Sequence, residues 1–291
     1  MRVLVTGASG MVGGRLAVLL AVRHEVTAAV HASPAPAGLA SVALDLASED
    51  SIALALRGSR AEAVVHAAAL ADADRCERDP EAARLLNVRA SERLAAACTE
   101  SGVRLIALST DLLLAGDRAW SDESVPPRPS LVYAHTKRAA EEAVLGASPT
   151  FAVARIALVV GRGFSPRATA SEAALWSLRE DRPLRLYTDQ YRTPGDPESL
   201  ADALDRILER RAAGLYQLGG GERVSRFEIG QRTARAFGLD AAAIEPITAS
   251  AAPGAPRPAD CSMDVAKARR DLGWEPRPLD VAIRESRPGR E

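Results

Sequence analysis

Tyr133-Ala134-His135-Thr136-Lys137 sets a phenol and an ammonium four residues apart, so on one helix they share a face. A phenol near its ordinary pKa of about 10 is a reluctant acid or base at neutral pH. A nearby ammonium favours the phenolate and draws that pKa toward the working range. This chemistry suits proton donation to a developing alkoxide while a nicotinamide delivers hydride, with Lys137 also reaching the nicotinamide ribose. The spacing alone also fits a surface pair, but its place in the chain favours the catalytic reading. An apolar run, Val103 to Leu108, ends in Ser109-Thr110-Asp111 and delivers those side chains to the carboxyl edge of a sheet, where such folds bind ligands. Thr110 is the expected hydroxyl against the substrate carbonyl oxygen, with Ser109 as the alternative.

A second constellation opens the chain. Thr6-Gly7-Ala8-Ser9-Gly10-Met11-Val12-Gly13-Gly14 follows the first apolar strand and starts the first helix. Its G-x-x-G-x-x-G spacing is one residue wider than the usual dinucleotide fingerprint. The physical need is the same: a tight turn, close approach of a pyrophosphate to backbone, and free N–H groups at a helix N-terminus. Gly7, Ser9, Gly10, Met11, Val12 and Gly13 are therefore candidate cofactor-binding residues, along with Tyr133 and Lys137.

The second strand, Glu25 to Val30, runs out into His31-Ala32-Ser33 without a carboxylate. An acid there would grip the adenosine ribose, and its lack removes repulsion against a 2′-phosphate. NADP(H) is thus preferred and NAD(H) tolerated, with His31 or Ser33 as donor to the phosphate, or His31 a solvated loop histidine.

The elements that position these groups alternate. Strands read at Arg2 to Val5, Glu25 to Val30, Val42 to Leu44, Ala63 to His66 and Val103 to Leu108. Helices read at Gly13 to Val22, Ser51 to Leu56 and Pro80 to Ser101. Val/Ile/Leu-rich strands taking turns with helices predict an α/β fold, a Rossmann-type doubly wound parallel sheet with a smaller C-terminal substrate-binding lobe. Asp117 to Ser130 is a loop, Tyr133 to Leu145 a helix, and Phe151 to Val160 a strand closed by glycines. Beyond it, Ser171 to Arg179, Pro197 to Arg211 and Arg226 to Phe237 read as helices, Leu215 to Leu218 as a strand, and Ala251 to Pro258 as an extended loop. The division is 1–163 for the dinucleotide-binding domain, rejoined by a strand near 212–218, and 164–291 mostly for the lobe.

Composition narrows the function classes. Apolar residues make up 47% and charged residues 26%, with 37 basic against 38 acidic side chains. That is the balance of a globular soluble protein, with no basic stripe for nucleic acid. Three scattered cysteines fit a reducing compartment rather than disulfides or a metal site, and the histidines lack metal-ligand spacing. No G-x-S-x-G elbow marks a hydrolase. With no apolar run for a membrane span and no signal peptide, the expectation is a cytoplasmic protein. Asp72, Asp74, Arg75 and Glu77 read as a solvated loop near the cleft mouth. Arg155 reads as structural, paired across the sheet. Asp111, Arg192 and Arg257 are the candidate substrate contacts, the guanidinium forks suiting a diphosphate.

Together these stretches resemble the extended short-chain dehydrogenases/reductases, most of all the dTDP-4-dehydrorhamnose reductase (RmlD-like) family. The likeness rests on the glycine loop; His66 to Ala69 with Asp79-Pro80-Glu81 and Asn87-Val88; Ser109-Thr110-Asp111 with Gly116; Tyr133 to Lys137; Arg155 with Gly161; Asp189-Gln190 with Pro194; and Leu272-Gly273-Trp274. The resemblance implies that Asp45-Leu46 flank the adenine, that Ala67, Ala68 and Ala69 line the cofactor, and that Asn87 supports the site. It also implies a nucleotide-activated 4-keto sugar as substrate. Three places depart from the family: Leu112 and Leu114 stand where a Tyr and a Phe are usual, Leu158 where a Trp is usual, and Asp-Gln-x is followed by Arg192 instead of glycine. They leave the hydride chemistry intact and change the pocket walls. The alternatives are epimerase, dehydratase or other carbonyl chemistry, or an NADP-binding regulatory subunit, as in a relative that partners methionine adenosyltransferase. A homodimer through the helix Pro80 to Ser101 is a further expectation.

Overall fold

A computed structural model describes residues 1–164, 167–251 and 257–289. Seven parallel strands form the central sheet: β1 (Arg2–Thr6), β2 (Glu25–Val30), β3 (Ala40–Ala43), β4 (Ala63–His66), β5 (Arg104–Thr110), β6 (Ala152–Ile156) and β9 (Gly214–Leu218). Their order is β3-β2-β1-β4-β5-β6-β9, so the chain reverses direction across the sheet between β1 and β4. Open α/β sheets bind ligands at such a switch point, outside the carboxyl ends of the strands.

Both faces of the sheet are covered, which explains why its strands read as near-continuous apolar runs. Val3, Val5, Val65, Ile106 and Ala154 face one core with α1 (Met11–Leu20) and α8 (Pro197–Glu209), where Leu16, Leu204 and Trp274 pack. Leu4, Val64, Leu105, Ala107 and Val153 face the other, beneath α2 (Glu49–Ser59), α5 (Ala90–Glu100) and α6 (Val132–Ala147). These helices show why local sequence starts them: Ser48 caps α2 by accepting from Ser51 N–H, and Asp196 caps α8 by accepting from Ser199 N–H.

Several sequence expectations change here. The charged stretch read as a loop is a short helix, α3 (Ala73–Arg78), capped by Asp72, whose neighbour Glu77 accepts the Val132 N–H at 2.7 Å and so starts α6. The long helix from Pro80 is interrupted. α4 (Pro80–Ala83) passes into a π-helical turn, Arg84–Arg89, before α5 continues. The strand expected to run to Val160 ends at Ile156. The loop expected at Ala251 to Pro258 lies largely outside the described residues.

The remaining elements are α7 (Ala170–Arg179), β7 (Leu184–Tyr187), β8 (Tyr191–Arg192), β10 (Val224–Ser225), α9 (Arg226–Ala236), β11 (Ile244–Ile247), α10 (Ala266–Leu272) and α11 (Leu279–Arg284). β8 pairs with β10 and β7 with β11, giving two small sheets beside the carboxyl edge. Helix α8 and α10 return to the main sheet, so the C-terminal half both builds the lobe and covers the core. No helix among the described residues is long and apolar enough to cross a membrane.

Candidate active site

The glycine loop makes its turn as the spacing requires. Gly7 has φ +67°, and a Cβ there would stand 2.7 Å from the Ala68 backbone. At Gly13 a Cβ would meet the Gly7 carbonyl oxygen at 2.4 Å, so the first helix sits against the loop only because both positions lack side chains. Beside the loop lies a cavity of about 220 Å³ lined by Thr6, Gly7, Ser9, His31, Asp45, Leu46, Ala68 and Ala69, with Ala29, Val30, Leu44 and Leu86. Its shape and the bare backbone at its neck fit the adenosine end of a dinucleotide. Gly10, Met11, Val12, Gly13 and Ala67 do not line this cavity. Ala67 instead packs on the loop, and Met11 lies against Gly163. No arginine lines it, and His31 is exposed at its rim.

At the carboxyl ends of β4 and β5 the buried polar groups gather. Tyr133 and Lys137 lie on the buried face of α6, at 9% and 4% exposure. The Thr110 hydroxyl lies against the phenol, and burial together with the Asp111 carboxylate pushes the phenol pKa above its usual value, opposite to the lowering expected from Lys137, because enclosure outweighs the ammonium. Lys137 is brought down to about 8, because burial disfavours its charge while Glu141 partly restores it. Only Lys137 and Lys267 among the chain's 37 basic residues are lysines. A chain that otherwise uses arginine keeps lysine where an ammonium with an adjustable pKa matters.

Beneath this pair His66 is fully enclosed, its Nδ1 2.7 Å from Thr6 Oγ1 and its Nε2 3.3 Å from Ser91 Oγ. Ser91 Oγ donates to the Asn87 carbonyl, and Thr6 Oγ1 accepts from Ala68 N–H, so the proton that completes the network belongs on Nε2. Burial and Lys137 drive the His66 pKa down to about 3, which keeps the ring neutral. Asn87 is the one buried residue of the π-helical turn. Its Oδ1 accepts Leu70 N–H at 2.7 Å, and its Nδ2 donates to Leu70 O and to Thr136 Oγ1. The extra residue of a π turn re-aims a side chain, and such turns favour functional sites.

The opposite wall comes from the lobe. Register pairs Arg192 with Val224 and Tyr191 with Ser225, and Arg226 then begins α9. Arg192 is 3% exposed and stands 3.4 Å from Asp111, neither a surface ion pair nor a free fork. Asp111 Oδ2 has no hydrogen-bond partner among the described residues, and burial raises its pKa against the pull of Arg192. Arg257 reaches exposed Asp74 at 3.3 Å. Arg226 was not singled out by the sequence; burial and the neighbouring Arg192 and Arg257 press its pKa down. No acid–base spacing along the chain could have exposed it, because its neighbours arrive from separate segments.

Two sequence readings of the walls are corrected. Leu114 is 1% exposed and packs with Ala157, Cys261 and Met263, so it belongs to a core rather than the cleft. Arg155 pairs with Glu141 on α6, not across the sheet. The three cysteines are buried and free, and among the described residues no three potential ligands converge on a metal site.

A doubly wound sheet, a glycine cradle at its edge and a Thr/Tyr/Lys cluster at the switch point define the architecture of an extended short-chain dehydrogenase/reductase. The model of the RmlD substrate binding domain matches residues 1–287, and the chain belongs to that family. It is 33% identical to dTDP-4-dehydrorhamnose reductase of Streptomyces griseus, over 99% of this chain and 93% of that one. It is 28% identical to methionine adenosyltransferase 2 subunit beta of Xenopus laevis, over 98% and 86%. Among solved structures it is similar to MoeE5 in complex with UDP-glucose and NAD, with 26% identity, a TM-score of 0.84, and 97% and 96% of the two chains covered.

Proposed function

We propose that the protein is an NAD(P)H-dependent reductase of a nucleotide-activated 4-keto sugar. The observation that carries this reading is the Thr110, Tyr133 and Lys137 cluster, buried at the carboxyl edge beside the glycine cradle and faced by arginines from the lobe. Residues 1–163, with the strand near 212–218, form the dinucleotide-binding part, and 164–291 mostly the substrate lobe. NADP(H) is the favoured cofactor and NAD(H) the tolerated one, and the bound nicotinamide supplies the hydride.

The chain's own residues do the rest. Gly7, Ser9, Gly10, Met11, Val12 and Gly13 hold the pyrophosphate against bare backbone and a helix N-terminus. His31, Asp45 and Leu46 flank the adenosine, Ala67, Ala68 and Ala69 line the cofactor, and Asn87 supports the site from its π-helical turn. Lys137 donates from its ammonium to ribose hydroxyls. Thr110 donates to the substrate carbonyl oxygen, and Tyr133 gives that oxygen its proton. The raised phenol pKa keeps Tyr133 protonated, which suits a donor in the reducing direction. Asp111, Arg192 and Arg257, joined by Arg226, bind the sugar and its diphosphate, the gathered positive charge complementing the phosphates.

Oxidation of NADPH and NADH with a panel of dTDP-, GDP- and UDP-linked 4-keto sugars tests this. Turnover on at least one is expected, and cofactor binding with no turnover on any overturns it. A second reading, a cofactor-binding regulatory subunit, is favoured by the likeness to methionine adenosyltransferase 2 subunit beta. It requires that Tyr133→Phe leave the cellular role intact. A cytoplasmic homodimer completes the proposal, and sedimentation showing only monomer at micromolar concentration removes the dimer.

A further inference from the structure

Glu141 lies one helical turn beyond Lys137 on α6, and both side chains are buried. Residues at i and i+4 are neighbours on one helix face. The Glu141 carboxylate is fixed from the sheet side: Arg155 donates from Nε to Oε1 at 2.9 Å and from Nη2 to Oε2 at 2.7 Å. Such a two-pronged bond sets the plane of the carboxylate as well as its charge.

Arg155 does not stand alone on its face of the sheet. In register it lies between Ser109 on β5 and Gln217 on β9, so the three form a polar strip across adjacent strands. The rest of that face is apolar, with Leu105, Ala107 and Val153. Ser109 Oγ, Arg155 Nη1 and both amide atoms of Gln217 are buried without hydrogen-bond partners among the described residues. Stability is a weak reason for such a strip, since apolar replacements of buried ion pairs are often neutral or stabilising. What the strip reaches, through Arg155, is Glu141, the carboxylate whose charge acts on Lys137. The titratable groups that face Lys137 are Tyr133 and Glu141 from its own helix and His66 from β4. His66 is neutral and Tyr133 protonated, which leaves Glu141 as the negative charge beside it.

We propose that Glu141, clamped by Arg155, is a positioning residue that keeps Lys137 charged and aimed into the reaction site. The carboxylate offsets the cost of enclosing an ammonium, and the clamp denies it other rotamers. The role of Lys137 in turnover rests on the proposed reductase activity; its charge state does not.

The two lysines make the test direct. In the full chain labelled with 13C-lysine, two Cε signals titrate, and a Lys267→Arg variant assigns them. With wild type, the Lys137 midpoint is expected near 8. Removing an adjacent opposite charge lowers the pKa of a cation, so Glu141→Gln should move that midpoint down by about 1–3 pH units, leaving Lys267 where it was. Glu141→Gln strands the Arg155 charge, so the neutral double variant Glu141→Gln/Arg155→Met is measured too and should shift in the same direction by less, because the repulsion from the stranded guanidinium is removed. Arg155→Lys, which keeps the charge but loses the two-pronged clamp, should shift less. The alkaline limb of kcat/KM should move with the midpoint. An unchanged Lys137 midpoint in any folded Glu141 variant overturns the proposal, as does loss of fold in all three, which would assign the pair to stability. A shifted midpoint in a protein that reduces no keto sugar upholds the positioning role and overturns the proposed reaction instead.

Discussion

Lys137 and Arg226 are cations that face the same cleft, one from its floor and one from its wall, and they are held differently. The floor is a closed network. His66, Ser91, Asn87 and Thr136 each have named partners, and Lys137 has Glu141 behind it. The wall carries surplus charge. Arg192 and Arg257 press on Arg226, and the buried acid beside them, Asp111, has an oxygen without a hydrogen bond among the described residues. A satisfied network holds its geometry before anything binds, which is what a reacting centre needs. A wall on which arginines outnumber the acids they meet suits an anion, because a bound anion relieves their mutual repulsion.

The sharpest break between the two regions should come at Tyr133. Tyr133→Phe should lower kcat by about 10²–10⁴-fold while cofactor binding persists, checked by steady-state kinetics and a cofactor titration. A variant that lost cofactor affinity first would move the phenol from chemistry to binding.

On the floor, acid should do what mutation does. His66 titrates near 3 in the folded protein and near 6.5 when unfolded, so the unfolded state binds more protons between those values. Its contribution to stability is present above about 6.5 and is lost as pH falls toward 3. Denaturant unfolding at several pH values should show that slope, and His66→Gln should flatten it.

On the wall, Arg226→Ala should raise KM for a diphosphate-bearing substrate by about 10- to 100-fold with kcat little changed, the loss expected for a charged hydrogen bond. Because its charge is repelled by its neighbours, the same variant should melt no lower than wild type. A large drop in Tm would show that the wall is held together as tightly as the floor. Smallest of all, Arg257→Ala removes a pair with an exposed aspartate and should change stability by no more than about 0.5 kcal/mol. A KM effect without a Tm effect there would support Arg257 as a substrate contact on the wall, and no KM effect would confine its role to the Asp74 pair.

Much of the floor was legible before any coordinates. The apolar runs from Arg2, Glu25, Ala63 and Val103 mark buried parallel strands because both faces of the sheet are covered, and the four-residue spacing of Tyr133 and Lys137 is a local property of a helix. Glu141, a further turn along the same helix, carries the same spacing signal. The charged stretch at 72–77 was misread because a helix of six residues has too few turns to show a period. In the wall, Asp111, Arg192 and Arg257 were legible as separate candidates, but Arg226 and the arrangement that gathers them were not. β8 and β10 are two residues each, too short for any alternation, yet their pairing brings Arg192 and Arg226 together.

The sequence by itself determined the sheet, the glycine turn and the pair on α6, because each depends on contacts within a turn, a strand or one helical face. Only the tertiary structure decided the charge around them. Glu141 meets Arg155 from another element, Asp111 meets Arg192 across 81 residues, and Arg226 joins them through a strand pair with no pattern of its own. Charge acts through space, and its partners are fixed by packing rather than by their distance along the chain.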